Sequence, residues 1–397
     1  SEMCIRDRIA IVPFESNLKI GESISSLIQD NLTLFGEFRA LPKNEMLSFP
    51  SEEENFFYRD WNILNVDYVV IGNFQEENSQ FINIEYFVFN ISLNKLILRG
   101  DVSGNYSEKE KISKVISNRV YKSITGLNGV FDTKIAYILN PSREEYKICI
   151  SDIDGTDEEV LFESSAPLMS PSWSSDLKKL AYVSFEKGYP EIYMQDLFSG
   201  KRESIKTLGL SNSAPVWSPD NKKLAFVMSS SGNPDIYIYN LRNKKISRHT
   251  THYGIDTEPA WSPNSKKLLF TSNRSGSPQI YELTVSSNRI KRVTLDGDYN
   301  ARASYFPDGK DIVLVHGNNG VFHIGTKKLR SRFINTISKT TLDESPTISP
   351  NGNIIIYATK NNSQGYLAGL TLDGKSKFTL PVKFGSVREP AWSPFMN

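Results

Sequence analysis

A short motif returns at a near-constant interval through the last two-thirds of the chain, and that interval limits the fold more tightly than any other feature. It reads Pro171-Ser172-Trp173-Ser174, Pro215-Val216-Trp217-Ser218, Pro259-Ala260-Trp261-Ser262, Ala303-Ser304-Tyr305-Phe306, Pro346-Thr347-Ile348-Ser349 and Pro390-Ala391-Trp392-Ser393. Its third position falls at 173, 217, 261, 305, 348 and 392, so the step is 44 residues and once 43. A period of this size holding several strands is the mark of propeller blades.

Each unit reads as four strands. The Pro-x-Trp segment is the first, and Ser-Pro-Asp/Asn then turns the chain, with Pro presetting one dihedral and Asp or Asn bonding its own backbone. A buried second strand follows, as in Lys179-Leu180-Ala181-Tyr182-Val183 and Lys223-Leu224-Ala225-Phe226-Val227. The third is of the type Asp235-Ile236-Tyr237-Ile238-Tyr239. A short polar fourth, such as Ile290-Lys291-Arg292-Val293-Thr294, suits an exposed outer edge that must not pair with other chains. The second-strand element occurs six times, first at Lys134-Ile135-Ala136-Tyr137-Ile138, where no Pro-x-Trp precedes it. The last Pro-x-Trp, at Pro390, has nothing after it. The C-terminal strand is therefore expected to complete the blade begun at Lys134 and close a ring of six. An open solenoid would need polar capping repeats at its ends, and none is evident. The tryptophans Trp173, Trp217, Trp261 and Trp392 are expected to wedge between blades, with ligand stacking as the alternative. The lysine pairs after the turns, Lys178-Lys179, Lys222-Lys223 and Lys266-Lys267, read as solvated.

The part before the repeat has a different pattern. Ile9-Ala10-Ile11-Val12-Pro13-Phe14 reads as a buried strand, and Ile24, Leu27, Ile28, Leu32 and Phe35 follow helical spacing up to Gly36. Asp67-Tyr68-Val69-Val70-Ile71-Gly72 is a second buried strand, and residues 81–91 and 95–102 form a hairpin. Ser107 with Glu110 predicts a capping box ahead of a helix that stops at Gly126. The whole is thus an α+β multidomain chain. A small α/β domain spans 9–126, a linker 127–133, and a six-bladed β-propeller 134–397. Residues 1–8 do not lead into the strand that follows, carry no signal-peptide pattern, and are expected to lie outside the fold.

Of 397 residues, 39% are hydrophobic and 23% charged, as in ordinary globular chains. A net charge of +1 argues against nucleic acid as the main partner. Residues 9–133 carry 11 Lys/Arg against 17 Asp/Glu, and residues 134–397 carry 33 against 26. That asymmetry reads as two solvated surfaces, or as weak attraction between the domains. Two cysteines, Cys4 and Cys149, allow no disulfide framework or zinc spacing, and Cys149 reads as a buried strand residue. No apolar run reaches the length of a membrane helix, so membrane insertion is not expected. No Gly-x-Ser-x-Gly, Walker or Gly-x-Gly-x-x-Gly motif is present, so the chain is not expected to be an enzyme. His249-Thr250-Thr251-His252 lacks a third ligand nearby, and Asp152-Ile153-Asp154-Gly155-Thr156-Asp157 lacks the spacing and closing Glu of a calcium loop. No cofactor is indicated, a calcium ion in the channel being left open, and the expected state is a monomer. The candidate site is the ring of loops entering the first strands. It contributes Asn212, Thr257, Glu258, Asn300, Arg302, Asp343, Glu344, Arg388 and Glu389 around one mouth of the channel. Such a polar rim on a rigid scaffold suits an inserted protein or peptide, and the bland alternative is a solvated loop ring.

The order of parts resembles the TolB family of the bacterial Tol-Pal envelope system. The resemblance rests on Ile9-Ala10-Ile11-Val12-Pro13-Phe14, on Thr125-Gly126-Leu127-Asn128-Gly129-Val130-Phe131 between the domains, on Pro167-Leu168-Met169-Ser170-Pro171-Ser172-Trp173, on Leu342-Asp343-Glu344-Ser345-Pro346 and on the terminal Pro390-Ala391-Trp392. It implies a periplasmic, non-enzymatic adaptor whose funnel binds the lipoprotein Pal and whose N-terminal tail binds the C-terminal domain of TolA. It further implies support of outer-membrane integrity and of constriction at division, with some bacteriocins exploiting the same funnel. Thr257-Glu258 and Asp343-Glu344 match rim positions of the family. Ser211 stands where better-known relatives carry histidine, and the residues before Ile9 do not match the family's TolA-binding tail.

Overall fold

The computed structural model describes residues 6–15, 20–76, 80–207, 211–230, 232–340, 342–361, 364–380 and 385–396. The chain divides into two units, Ser1–Asp132 with Lys375–Phe378, and Thr133–Gly374 with Thr379–Asn397.

The first unit is built on a five-stranded sheet in the order β2-β1-β3-β4-β5. Its elements run β1 (Asp7–Ile11), α1 (Ile20–Thr33), β2 (Phe38–Ala40), α2 (Tyr58–Ile63), β3 (Tyr68–Glu76), β4 (Phe81–Asn90), β5 (Lys95–Asn105) and α3 (Lys109–Thr125). The first strand pairs in parallel with β2 and β3, and β3–β4–β5 form an antiparallel meander. Alternation along the strands sends Ala10, Val69, Ile71, Phe87 and Phe89 into one core, where Trp61 is fully buried and Phe56 stacks on Phe89. The helices α1 and α3 pack on one another and on the sheet.

Several expectations change here. The first strand begins at Asp7, and Arg8 is tied in, its amide donating to Asp67 Oδ2 at 2.7 Å and its guanidinium to the Leu64 carbonyl at 2.7 Å. Residues 1–5, Cys4 among them, lie outside the described residues. The capping box does not form, because Asn105 Oδ1 accepts the Ser107 amide first, and Glu108 at the N-cap makes no side-chain cap. Gly126 does end the helix, in the left-handed conformation at φ 78°. Residues 127–132 are no free linker. Phe131 is buried against Phe35 and Tyr121, and its amide donates to Asn118 Oδ1 at 3.0 Å. A Cβ on Gly129 would stand 2.5 Å from the Asn118 Cα, so only glycine fits that approach.

The second unit consists of six four-stranded antiparallel sheets. Blade 1 is Ser386–Trp392 with Lys134–Ser142, Glu145–Asp152 and Glu159–Ser164. Blades 2 to 6 begin with Leu168–Trp173, Ser211–Trp217, Asp256–Trp261, Tyr299–Tyr305 and Glu344–Ile348. Every first strand packs on the next, and Ser386–Trp392 packs on both Glu344–Ile348 and Leu168–Trp173, so the ring closes.

Closure repeats, bond for bond, what each blade does internally. In blade 3 the Ser218 amide donates to the Lys223 carbonyl, and Ser218 Oγ accepts the Lys223 amide, both at 2.9 Å. In blade 1 Ser393 makes the same two bonds with Lys134, both at 2.9 Å, although 259 residues separate them. The core lies between blades. In Lys-Leu-Ala-Phe-Val the Leu and the aromatic face one side, and Ala and Val the other. The small face of blade 2 (Ala181, Val183) meets the large face of blade 3 (Trp217, Leu224, Phe226), and that of blade 3 (Ala225, Val227) meets Trp261, Leu268 and Phe270. The tryptophans thus wedge between blades as expected.

Truncating Trp217 or Trp261 to Ala should cost about 3–5 kcal/mol of propeller stability in denaturant titration. If closure equals an internal turn, Ser393→Ala should lower stability as much as Ser218→Ala, by about 1 kcal/mol. A neutral Ser393→Ala would show that the ring does not depend on that junction.

Candidate functional site

Each first strand breaks register once on its partner, as between Ser213 and Val216, Thr257 and Ala260, or Arg388 and Ala391. At each break one residue takes a positive φ: Ser170, Ala214, Glu258, Arg302, Ser345 and Glu389, all between 48° and 55°. None is glycine, so each carries strain of about 1–3 kcal/mol that the surrounding sheet must hold. Such a bulge re-aims its side chain. All six residues line one central cavity of about 720 Å³, which runs to a second ring made by Pro219, Pro263, Pro307, Pro350 and Pro394. Pro follows the bulge in five blades, where its missing N–H removes no ladder bond.

The inward side chains lace neighbouring blades together. Glu258 accepts from Arg302 Nε at 2.7 Å, from the Arg302 amide at 3.1 Å and from Thr271 Oγ1 at 2.8 Å. Arg302 in turn donates to Ser345 Oγ on blade 6. Glu389 accepts the Ser170 amide at 2.6 Å, linking blades 1 and 2. Burial opposes the charge on Arg302, but Glu258, Glu389 and Glu344 around it hold its pKa above the usual guanidinium value.

The expected rim residues separate into two groups. Asn212, Asn300 and Asp343 are 2%, 0% and 1% exposed, so their side chains are not offered at the mouth, contrary to expectation. They fix the loops instead. Asn212 donates to the Pro190 carbonyl, and Asp343 accepts from Ser338 and Thr340. Asn300 donates to Gln279 Oε1 and to the Asp296 carbonyl, and its Oδ1 meets His316 Nδ1 at 2.9 Å. Thr257, Glu258, Arg302, Glu344, Arg388 and Glu389 do line the channel or its mouth. Arg388 lies 5.9 Å over the Tyr146 ring and donates weakly to the Leu168 carbonyl, while its Nε finds no protein partner.

Sequence reasoning missed two features. A second cavity of about 830 Å³ opens at the mouth over blades 6 and 1, shares Arg302 and Glu389 with the channel, and adds Arg143, Tyr146 and Lys360. Apolar side chains also stand out on the loops into blades 4, 5 and 6: Tyr253 at 80% exposure, Leu295 at 61% and Leu342 at 52%. The signal was present, since an apolar residue precedes the polar entry residues in each loop, but only the fold shows those loops to be adjacent.

No cluster of three or more metal-ligating side chains occurs among the described residues. His249 is engaged by Asn288 and Ser247, and His252 by the Gly254 amide. Residues 152–157 form a turn closed by Gly155 N to Asp152 O. Cys149 is fully buried, and burial pushes its thiol up to about 12. No helix among the described residues is long and apolar enough to cross a membrane.

Fold and channel together define a closed six-bladed propeller whose funnel carries charged groups at its mouth, joined to a small α/β domain. Residues 121–396 match the family model described as the TolB beta propeller domain, and residues 3–97 match the TolB amino-terminal domain. Tol-Pal system proteins TolB from Hahella chejuensis and Alcanivorax borkumensis are 51% and 46% identical, each over 98% of this chain and 92% and 90% of their own length. The crystal structure of TolB from Acinetobacter baumannii superposes with a TM-score of 0.91 at 35% identity, covering 98% of this chain and 97% of that one. The chain belongs to the TolB family and is a component of the Tol-Pal system.

Burial holds the pKa of His316 below its ordinary value, Asp296 opposing that and His323 adding to it. A histidine depressed in the fold contributes fully above its unfolded value of about 6.5, and that contribution is lost as pH falls through it, because the unfolded chain takes the proton first. The denaturation midpoint should therefore drop between about pH 7 and 5. His316→Gln, which can keep the bond to Asn300, should flatten that slope, and an unchanged slope would remove His316 from the account.

Proposed function

We propose that this chain is a periplasmic protein-binding adaptor whose channel mouth takes the lipoprotein Pal and whose N-terminal region links to TolA. In that role it supports outer-membrane integrity and constriction at cell division. The observation that carries the reading is the mouth itself. Charged groups re-aimed by bulges stand around a preformed opening, with exposed Tyr253, Leu295 and Leu342 on the adjoining loops. Apolar anchors beside a hydrogen-bonding rim are the anatomy of a protein interface. Membership of the TolB family directs the choice of partner.

Calorimetric titration with the soluble domain of Pal from the same source tests it. Glu344→Ala and Arg388→Ala should each weaken binding by about 1–3 kcal/mol while leaving the melting temperature in place. Glu258→Ala should lower both, because Glu258 also ties blade 4 to blade 5. Asn300→Ala should act on stability first, since that side chain is buried. No binding by folded protein would overturn the assignment of Pal. Binding unaffected by Glu344, Arg388 and Glu258 would move the partner off the mouth.

A further inference from the structure

The end of the ring opposite the mouth carries a surface that the Pal reading does not use. In a four-stranded antiparallel blade whose first strand starts at the mouth, the turns after the first and third strands lie at the far end. These turns are bonded from blade to blade. The Ser175 amide donates to Asn221 Oδ1 and the Asp220 amide to Ser265 Oγ, and a Cβ on Gly309 would stand 3.6 Å from the Pro263 ring. On blades 3, 4 and 5 this far end is basic. Arg242, Lys244 and Lys245 occupy the third turn of blade 3, Arg289 the edge of blade 4, and Arg330 and Arg332 the third turn of blade 5, all exposed. The first turns add the exposed lysines Lys222, Lys266 and Lys310.

Among the described residues no ion pair engages Arg242, Lys245, Lys266, Arg289, Lys310, Arg330 or Arg332, although Lys267 and Lys291 share Glu282. Lys244 pairs with Glu203 at 2.8 Å. The nearby carboxylates Asp220 and Asp308 are used within their own turns, accepting the Lys222 and Lys310 amides. Lys327 shows the consequence. It is 3% exposed, its ammonium donates only to the carbonyls of Lys328 and Ser331, and burial and the neighbouring Lys291 together lower its pKa. Lys291 is itself held by Glu282 at 3.1 Å, so the shortage of anions is confined to Lys327 and the exposed arginines of the turn that follows it.

The turn that follows Lys327 carries a second kind of group. Phe333 is 79% exposed, directly after Arg332, with its amide held by Ser331 Oγ at 3.1 Å. An aromatic ring projecting from a basic turn suits a headgroup interface, where the ring enters the acyl boundary and the arginines meet phosphates. It does not suit a nucleic-acid strand, which needs aromatic faces set along a groove. We propose that the turn face of blades 3 to 5 docks reversibly on an anionic phospholipid surface. This is adsorption and not insertion, since the contact comprises turn tips and one ring.

The test is co-sedimentation of the whole chain with vesicles of phosphatidylcholine alone or mixed with phosphatidylglycerol, at about 0.1 M salt, where surface charges still act over about 10 Å. The expected result is binding to the anionic vesicles only. Each lysine or arginine near such a surface contributes about a fivefold factor, so Arg330→Gln/Arg332→Gln should weaken binding roughly 25-fold. A control of equal charge change at the mouth end of the same ring, Lys187→Gln/Lys206→Gln on the exposed loops of blade 2, should retain it, and melting curves check that all variants fold. Phe333→Ser should weaken binding to vesicles and leave retention on a heparin column unchanged. Absence of binding to anionic vesicles, or equal binding by Arg330→Gln/Arg332→Gln and the control, overturns the proposal. Loss of heparin retention in step with vesicle binding, with Phe333→Ser inert in both, would assign the face to soluble polyanions and also overturn it.

Discussion

The fold depends on one packing rule, the large face of each blade against the small face of the next. A single four-stranded sheet of this composition could not bury Trp217, Phe226 and Leu224, since its other strands offer them nothing. Only a neighbour presenting Ala181 and Val183 at the same height does so. The rule is directional, so it propagates from blade to blade and leaves an unsatisfied face at each end of a linear array. Closing the ring removes both ends at once. Trp392 is buried and donates from its indole to Thr133 Oγ1 at 2.8 Å. The last strand thereby brings its wedge to the blade that lacked one.

Closure also sets the terms for the channel. Six strands converging on an axis crowd one another, and each relieves the crowding with a bulge at the same height. Residues with positive φ are tolerated there because the ladders on either side leave no alternative. The same distortion turns Glu258, Arg302 and Glu389 inward, where their bonds run between blades. Strain, cross-linking and the inward charged groups are one feature seen three ways, and the shape of the mouth follows from the geometry of closing the sheets.

The period, the four-strand unit and the completion of blade 1 by the C-terminal strand were legible because each is a statement about spacing, and the offset between the two six-fold elements encodes closure directly. Burial at the mouth was not legible. Asn300 and Arg302 stand two apart and both look like rim groups, yet one is sealed by Gln279 and His316 and the other opens to the channel. The difference comes from the bulge at Arg302 itself, between Ala301 and Ser304, which the sequence marks only by proline at a fixed place in the repeat, and blade 5 has Ala303 there. The capping box failed for a local reason: Asn105 offers a carbonyl oxygen two residues before Ser107 amide, and the nearer acceptor wins. The segment before Thr133 looked like a linker because Asn128-Gly129 is turn chemistry, but Phe131 and the close approach at Gly129 make it part of the first unit.

A repeat copies whatever it carries, on every side of the unit. Copying a bulge residue inward gives the channel its ring of polar groups. Copying a lysine pair after the first turns of blades 2, 3 and 4 does the same at the far end, where the second lysine of a pair turns back, as Lys267 does to Glu282 at 2.9 Å, and the first is left exposed. Overall net charge near zero conceals this, because acidic residues are spent singly inside turns and buried pairs while exposed basic ones accumulate in register. Two faces of opposite character, a mixed-charge mouth and a basic turn face, therefore arise from one unit of about 44 residues without either being specified by a separate domain.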